Sequence, residues 1–516
     1  MRWFATALAL LASACRHTPP AITTETPHII EEVRLDGFEV LPDGARDDLA
    51  DDLPLRAGEV VIEQGEQRAG ERAVEALQNH GYPYAQVSLA REPIDSTRTR
   101  VVIRADAGPP GFFGPIDIVG NRRVDDRIIR RRIGYAPGEP FRRSAIEHTQ
   151  QSIGALGLFK SVDIQMQNAA ARPADVPTLI TVEERTPWQW NLGIGYAAGE
   201  RLALDARISH LNVLGSARRL DLEGRRSAIE RSAALTFTQL DSWHPSLGLS
   251  LQARHREIDE RSFFALSRGG QAAVTWQWTR QLATTASYAV ALEKSDVDSG
   301  LEPLLGLQDG MVSAWSIDLD HRKAAAGAPP SRTIALHVEQ AGWWMPGTFN
   351  YVNLIGDARH YRRAFDDRVV FASRMRYGAI DRRTNEADIP LLKRFFLGGP
   401  DEMRGWGTYE LAPLSASGAP IGGKSLLTMT GEARFPIFKR LAGAMFVEAG
   451  NVWQDSWTLH LDDLLYDAGP GLRIDTPFGL VRLDFGYQLK TLDDLRIDGR
   501  PQKSRWRVGF GIGEAF

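Results

Sequence analysis

Cysteine is almost missing from this chain: Cys15 is the only one in 516 residues, so no disulfide can form within one copy. An excess of one charge sign is missing too. A formal net charge of −4 with mixed signs leaves no nucleic-acid footprint. Long apolar runs are also absent, since the stretch Trp3 to Leu11 falls well short of the ~20 residues a spanning helix needs. No tryptophan occurs between Phe4 and Pro187, and the remaining ones all lie from Trp188 onward. Histidines and acids show no metal-ligand spacing, there is no nucleophile elbow, and no cofactor is implied. Without a catalytic constellation the sequence gives no enzyme reading.

One motif match is a decoy. Gly418 to Ser425 satisfies G-x-x-x-x-G-K-[ST], but a phosphate-binding loop needs a helix after it, so that helix N-terminal amides meet the phosphate. Leu426 to Phe435 alternates as a strand instead, with Leu427, Met429, Ala433 and Phe435 on one face.

What is present begins with an export signal. Arg2, the apolar run and Ala12-Ser13-Ala14 before Cys15 have the layout of a secretory signal peptide over residues 1–15. Leu11-Ala12-Ser13-Ala14-Cys15 resembles a bacterial lipobox, which would leave Cys15 lipidated; cleavage after Ala14 by ordinary signal peptidase fits the same residues. A Pro- and Thr-rich tether, 16–28, follows.

Hydrophobic periodicity over 29–109 predicts the order β-α-α-β-β, and the order repeats over 110–186. A repeat of that kind means two small α+β modules, each burying helices on one face of a short sheet. From 187 the pattern becomes a succession of roughly ten-residue alternating segments, as in Val481, Leu483, Phe485 and Tyr487 against Arg482, Asp484, Gly486 and Gln488. Sixteen such segments fit 187–516. A soluble sandwich also alternates, but an exported chain, ~9–11-residue segments and aromatic residues near segment ends favour a transmembrane barrel of sixteen antiparallel strands. Short connections such as Gln281 to Ala283 and Thr476 to Gly479 alternate with long ones such as Glu293 to Gly310 and Asp381 to Gly423. The long loops face outside and the short turns face the periplasm.

The longest loop carries the candidate site. Phe396-Leu397-Gly398-Gly399-Pro400-Asp401-Glu402-Met403-Arg404-Gly405-Trp406 sets one arginine among glycines. In Leu441 to Gly450 the apolar residues at odd positions place Phe446, Glu448 and Gly450 on the lumen side. A carboxylate there can accept hydrogen bonds from an arginine folded back into the barrel, which pairs Arg404 with Glu448.

Gly120-Asn121-Arg122-Arg123-Val124, Gly138-Glu139-Pro140-Phe141 and Leu156-Gly157-Leu158-Phe159 resemble a POTRA domain. The loop residues Gly398, Gly399, Arg404, Gly405 and Trp406, with the wall segment Phe446-Val447-Glu448-Ala449-Gly450, resemble the BamA/TamA superfamily. That resemblance implies an outer-membrane protein assembly factor of a Gram-negative bacterium, with its POTRA modules in the periplasm. It implies unfolded outer-membrane protein clients, outer-membrane lipid around the barrel, and a periplasmic or inner-membrane partner at the modules; two modules suggest a TamA-like role. The Arg-Gly-aromatic motif would dock on the inner wall, although the family acid is usually Asp where this chain has Glu448. The C-terminal strand would carry the signal residues Phe510 and Phe516. Glycines on both closing strands, Gly193 and Gly195 against Gly509, Gly511 and Gly513, would make the seam weak enough to open as a lateral gate. A two-partner-secretion transporter, exporting a dedicated partner through the lumen, resembles the same layout.

Overall fold

The computed structural model describes residues 28–512, apart from 198–199, 240–243, 245, 261–262, 298–307, 325–330, 366–367, 384–388, 477–478 and 498–499. The signal peptide, Cys15, most of the tether, Gly513 and Phe516 lie outside the described residues.

The first module contains β1 (Ile29–Asp36), α1 (Asp43–Asp52), α2 (Glu63–Asn79), β2 (Gln86–Pro93) and β3 (Arg98–Asp106). β3 is central, parallel to β1 and antiparallel to β2. Ala69, Ala73 and Leu77 recur every four residues along α2, so one stripe of the helix faces Ile30, Val101 and Ile103 of the sheet. The second module repeats the plan with β4 (Phe112–Val119), α3 (Asp126–Arg130), α4 (Arg143–Gly154), β5 (Phe159–Met166) and β6 (Asp175–Glu184). Its core stacks Phe113 on Tyr135, with ring centroids 4.0 Å apart. Periodicity predicts a helix over 125–133, whereas α3 stops at Arg130; the intervening Arg131 to Ala136 leads into the turn closed by Gly138.

The remaining strands form a closed antiparallel barrel of sixteen. They are β7 (Trp188–Ala197), β8 (Arg201–Val213), β9 (Arg218–Arg226), β10 (Glu230–Gln239), β11 (Leu247–Glu260), β12 (Phe263–Gln277), β13 (Leu282–Val297) and β14 (Gly310–Lys323). β15 (Arg332–Ala341), β16 (Tyr351–Ala364), β17 (Val369–Arg382), β18 (Ser425–Phe438), β19 (Leu441–Trp453), β20 (Leu465–Thr476) and β21 (Gly479–Gln488) continue it. A small hairpin, β22 (Arg496–Ile497) with β23 (Arg500–Pro501), interrupts the chain before the closing strand β24 (Trp506–Ile512). Closure gives each strand a neighbour on both sides, which is how a barrel answers the hydrogen-bonding demand of hydrocarbon. Outward residues such as Leu235, Ile317, Leu336, Met375 and Val447 are exposed. Inward ones carry hydrogen bonds and charge, which gives the lipid-out, polar-in alternation of a membrane barrel.

Candidate functional site

The described part of the β17–β18 connection from residue 389 to 424 turns inward and packs its own apolar side chains into the lumen. Ile389, Leu391, Phe395, Leu397, Met403, Trp406 and Leu411 are all buried there. Leu397 and Leu411 exchange backbone hydrogen bonds of 2.8 and 3.1 Å, so the segment between them is the head of a hairpin. Gly398 sits at φ 106°, and a side chain there would collide with the carbonyl of Gly407. Gly399 donates its N–H to the Trp406 carbonyl at 3.0 Å and closes the head. These backbone constraints point Arg404 at the barrel wall.

Arg404 is buried, with only 4% of its surface exposed. Its backbone N–H donates to Glu448 Oε2 at 2.5 Å and its Nε to Glu448 Oε1 at 3.2 Å. Nη1 donates to Glu432 Oε2 at 2.7 Å and lies 3.5 Å from Asp484 Oδ1. The guanidinium stacks over the Phe446 ring, 3.5 Å from its centroid. Gly405 donates to Asp467 Oδ2 at 3.1 Å and accepts at its carbonyl from Gln488 Nε2 at 2.8 Å. Gly450 lies beside Met403, and Trp406 is buried in the core of the loop.

The wall has two further devices. Gly486 leaves a hollow into which the loop presses: a Cβ there would come within 2.5 Å of the Arg404 carbonyl. Arg473 Nη1 reaches Asp484 at 2.7 Å, Arg473 Nη2 reaches Glu432 at 3.3 Å, and Arg434 reaches Glu432 at 2.7 Å. Arg482 bonds the Pro400 carbonyl at 2.7 Å and pairs with Asp401. Four arginines, 404, 434, 473 and 482, thus meet three carboxylates, Glu432, Glu448 and Asp484, in a buried cluster, with Asp467 beside them taking the Gly405 N–H. Such charges are tolerated in burial only when paired and hydrogen-bonded.

Sequence reasoning brings Arg404 to Glu448 and leaves out Glu432, Asp467 and Asp484. The signal for Glu432 was present, because placing Met429 and Ala433 outward obliges Glu432 to face inward. The loop also reaches the closing strand: Arg507 Nη2 donates to Glu410 Oε2 at 3.0 Å, and Glu410 in turn accepts from the Gly407 N–H at 2.7 Å.

At the seam, the described residues of β24 and β7 pair only through Phe510 with Tyr196 and Gly511 with Gly195. On its other side β24 pairs with β21 across seven residues, from Val481 to Tyr487. Gly193 lies against Asp205 on the lumen face, and Gly509 faces Pro400 of the loop.

A closed transmembrane barrel behind two βααββ modules, with an arginine-tipped loop bound inside, defines a class: outer-membrane barrels of Gram-negative bacteria with periplasmic POTRA modules. A family model described as the Omp85 superfamily domain matches residues 212–516, and one described as a surface antigen variable number repeat, POTRA, matches 112–185. The chain belongs to the Omp85 superfamily, the family of BamA and TamA. It is 21% identical over 499 residues to the outer membrane protein assembly factor BamA of Neisseria meningitidis, covering 84% of this chain and 60% of that one. BamA of Nitratidesulfovibrio vulgaris is 22% identical over 463 residues, covering 85% of this chain and 56% of that relative. This chain therefore spans little more than half the length of these two relatives. Among solved structures, BamA from Haemophilus ducreyi lacking POTRA domains 1–3 superposes with a TM-score of 0.73 at 16% identity, over 94% of this chain and all of that one. CdiB from Acinetobacter baumannii gives a TM-score of 0.56 at 14% identity, over 96% and 93% of the two chains.

Proposed function

We propose that this chain assembles or inserts outer-membrane proteins, with the POTRA modules receiving unfolded clients and the β7–β24 seam serving as the site of edge pairing. The observation that carries the reading is the seam. It sets glycine opposite glycine, Gly195 with Gly511. Glycine on both sides leaves few side chains to lock the pair, and such an edge is the kind of template that an incoming strand can extend. The second support is the buried Arg404 cluster, which fixes the loop against β18–β21 and, through Glu410 and Arg507, sets it on the closing strand. The loop acts as an internal latch that holds the closing strand in place.

Lipidation of Cys15 belongs to the same proposal: an acyl anchor would tether the modules at the membrane, and mass spectrometry of the mature N-terminus reads it directly. Depletion followed by outer-membrane proteomics tests the function. Loss of many barrel proteins is expected. Loss of one exported partner, with the barrel proteome intact, would instead identify a two-partner-secretion transporter, and no change in either would leave a passive pore.

A further inference from the structure

The outward face of β14–β16 carries a feature that neither the latch nor the seam uses. Lys323 ends the eighth barrel strand, and Arg332, which begins the ninth, is its direct cross-strand partner. Arg332 is in turn directly opposite His360 on β16. Arg362 follows two residues on, so four nitrogen-bearing side chains are set close together across three hydrogen-bonded strands.

All four lie on the lipid side. Asp318 and His337 bond each other at 2.6 Å, and Asp357 bonds Arg359 and Arg374, all on the lumen face. Alternation then places Ile317, Leu319, Lys323, Arg332, Ile334, Leu336, His360 and Arg362 outward, and Leu319 and Leu336 are each 39% exposed. Lys323, Arg332, His360 and Arg362 are exposed as well. Among the described residues none of the four has a carboxylate partner; Asp366 and Asp367 of the following turn lie outside them. Lys323 and Arg332, two cations set directly opposite on one sheet face, repel each other, and an anion between them relieves that repulsion.

The position names the anion. These residues sit at the end of the strands joined by the shorter turns, the end at which the chain enters the barrel, and therefore in the periplasmic leaflet. Ile334, Leu336 and Met375 lie above them as an apolar band, and Phe371 is the direct cross-strand partner of Arg362. At two other places on the same rim the outward residues are aromatic or aliphatic, Trp276 at the end of β12 with Trp278 just after it, and Phe435 and Ile437 on β18. We propose that Lys323, Arg332, His360 and Arg362 hold the phosphate of an anionic phospholipid of the periplasmic leaflet, its acyl chains lying along the apolar band. Long basic side chains at this depth reach the headgroup while their stems stay in the hydrocarbon, and the contact orients this wall of the barrel in the leaflet.

The test is native mass spectrometry of the full chain, titrated with phosphatidylglycerol or phosphatidylethanolamine of matched acyl chains. Wild type should prefer phosphatidylglycerol, Arg332→Gln should weaken that preference about fivefold, and Arg332→Lys should retain most of it. The triple variant Lys323→Gln/Arg332→Gln/Arg362→Gln should bind both lipids alike. Heat-modifiable gel mobility establishes that each variant is a closed barrel. Equal binding of the two lipids by wild type, or an undiminished preference in the folded triple variant, overturns the proposal. So does soluble polyglutamate binding that the triple variant loses while its lipid preference stays, since the row would then be a protein-docking surface. None of these readouts involves client assembly, so the inference stands or falls separately from the proposed function.

Discussion

At the scale of single residues, the Arg404 cluster works because one guanidinium serves several carboxylates at once. A pairing read from Arg404 and Glu448 alone would make Arg404→Ala and the double change with Glu448→Ala nearly equal in cost. The geometry predicts otherwise, because Glu432 also loses a buried partner 2.7 Å away. Arg404→Ala should loosen the loop by about 3–5 kcal/mol. A double-mutant cycle should give coupling of about 1 kcal/mol or more with Glu432 as well as with Glu448. Protease susceptibility of 383–424 under urea measures both. Gly486→Ala should release the same loop without touching a charge, since its new Cβ occupies the hollow beneath Arg404.

A different carboxylate fixes the second POTRA module. Glu184 Oε1 accepts from the N–H groups of Arg122, Arg123 and Val124 at 2.8, 2.7 and 2.9 Å. Burial pushes its carboxyl up, but these amides and the Arg123 guanidinium outweigh that and hold it below the usual range. Its stabilisation is therefore present above the unfolded value of about 4.3 and is lost as pH falls through the lower folded value. Hydrogen exchange at 122–124 should accelerate over that acid range in wild type. In Glu184→Gln it should be fast already at neutral pH, with a cost of about 1–2 kcal/mol.

At the scale of elements, the seam between β24 and β7 is decisive. Its described pairs set Phe510 on Tyr196 and Gly511 on Gly195, so glycine meets glycine where the barrel closes. Cysteines at 196 and 510, whose backbones are direct partners, should cross-link without disturbing the barrel. The bond should abolish client insertion in reconstituted vesicles and reduction should restore it; full insertion by the cross-linked barrel would dismiss the gate. Severing the Glu410–Arg507 contact with Glu410→Gln should act oppositely and speed cross-linking at a partly reduced seam, because the loop no longer holds β24.

At the scale of the whole molecule, a barrel of sixteen strands is wide enough to conduct unless something fills it. Here the folded-back loop brings its own hydrophobic core, with Phe395, Met403, Trp406 and Leu411 among the buried residues. Wild type should therefore show low, flickering conductance in planar bilayers. Arg404→Ala should raise it severalfold, and an unaltered conductance would mean that the loop stays seated without its arginine.

Much of this was legible in the chain itself. Period-two alternation specifies strands and their faces, the β-α-α-β-β repeat specifies two modules, and connection lengths specify which strand ends the short turns join, because each is a local rule acting over a few residues. Glu448 was legible for the same reason. What local patterns cannot carry is register between strands distant in sequence. Glu432, Glu448 and Asp484 converge on Arg404 only because β18, β19, β20 and β21 pair in succession along one curved stretch of wall and Gly486 leaves a hollow for the loop there. Lys323, Arg332 and His360 become a single row only through pairing. The sequence by itself determined the strands, the modules and the inward arginine. The tertiary structure decided which charges meet, because electrostatic contact depends on through-space distance, and only barrel closure sets that distance.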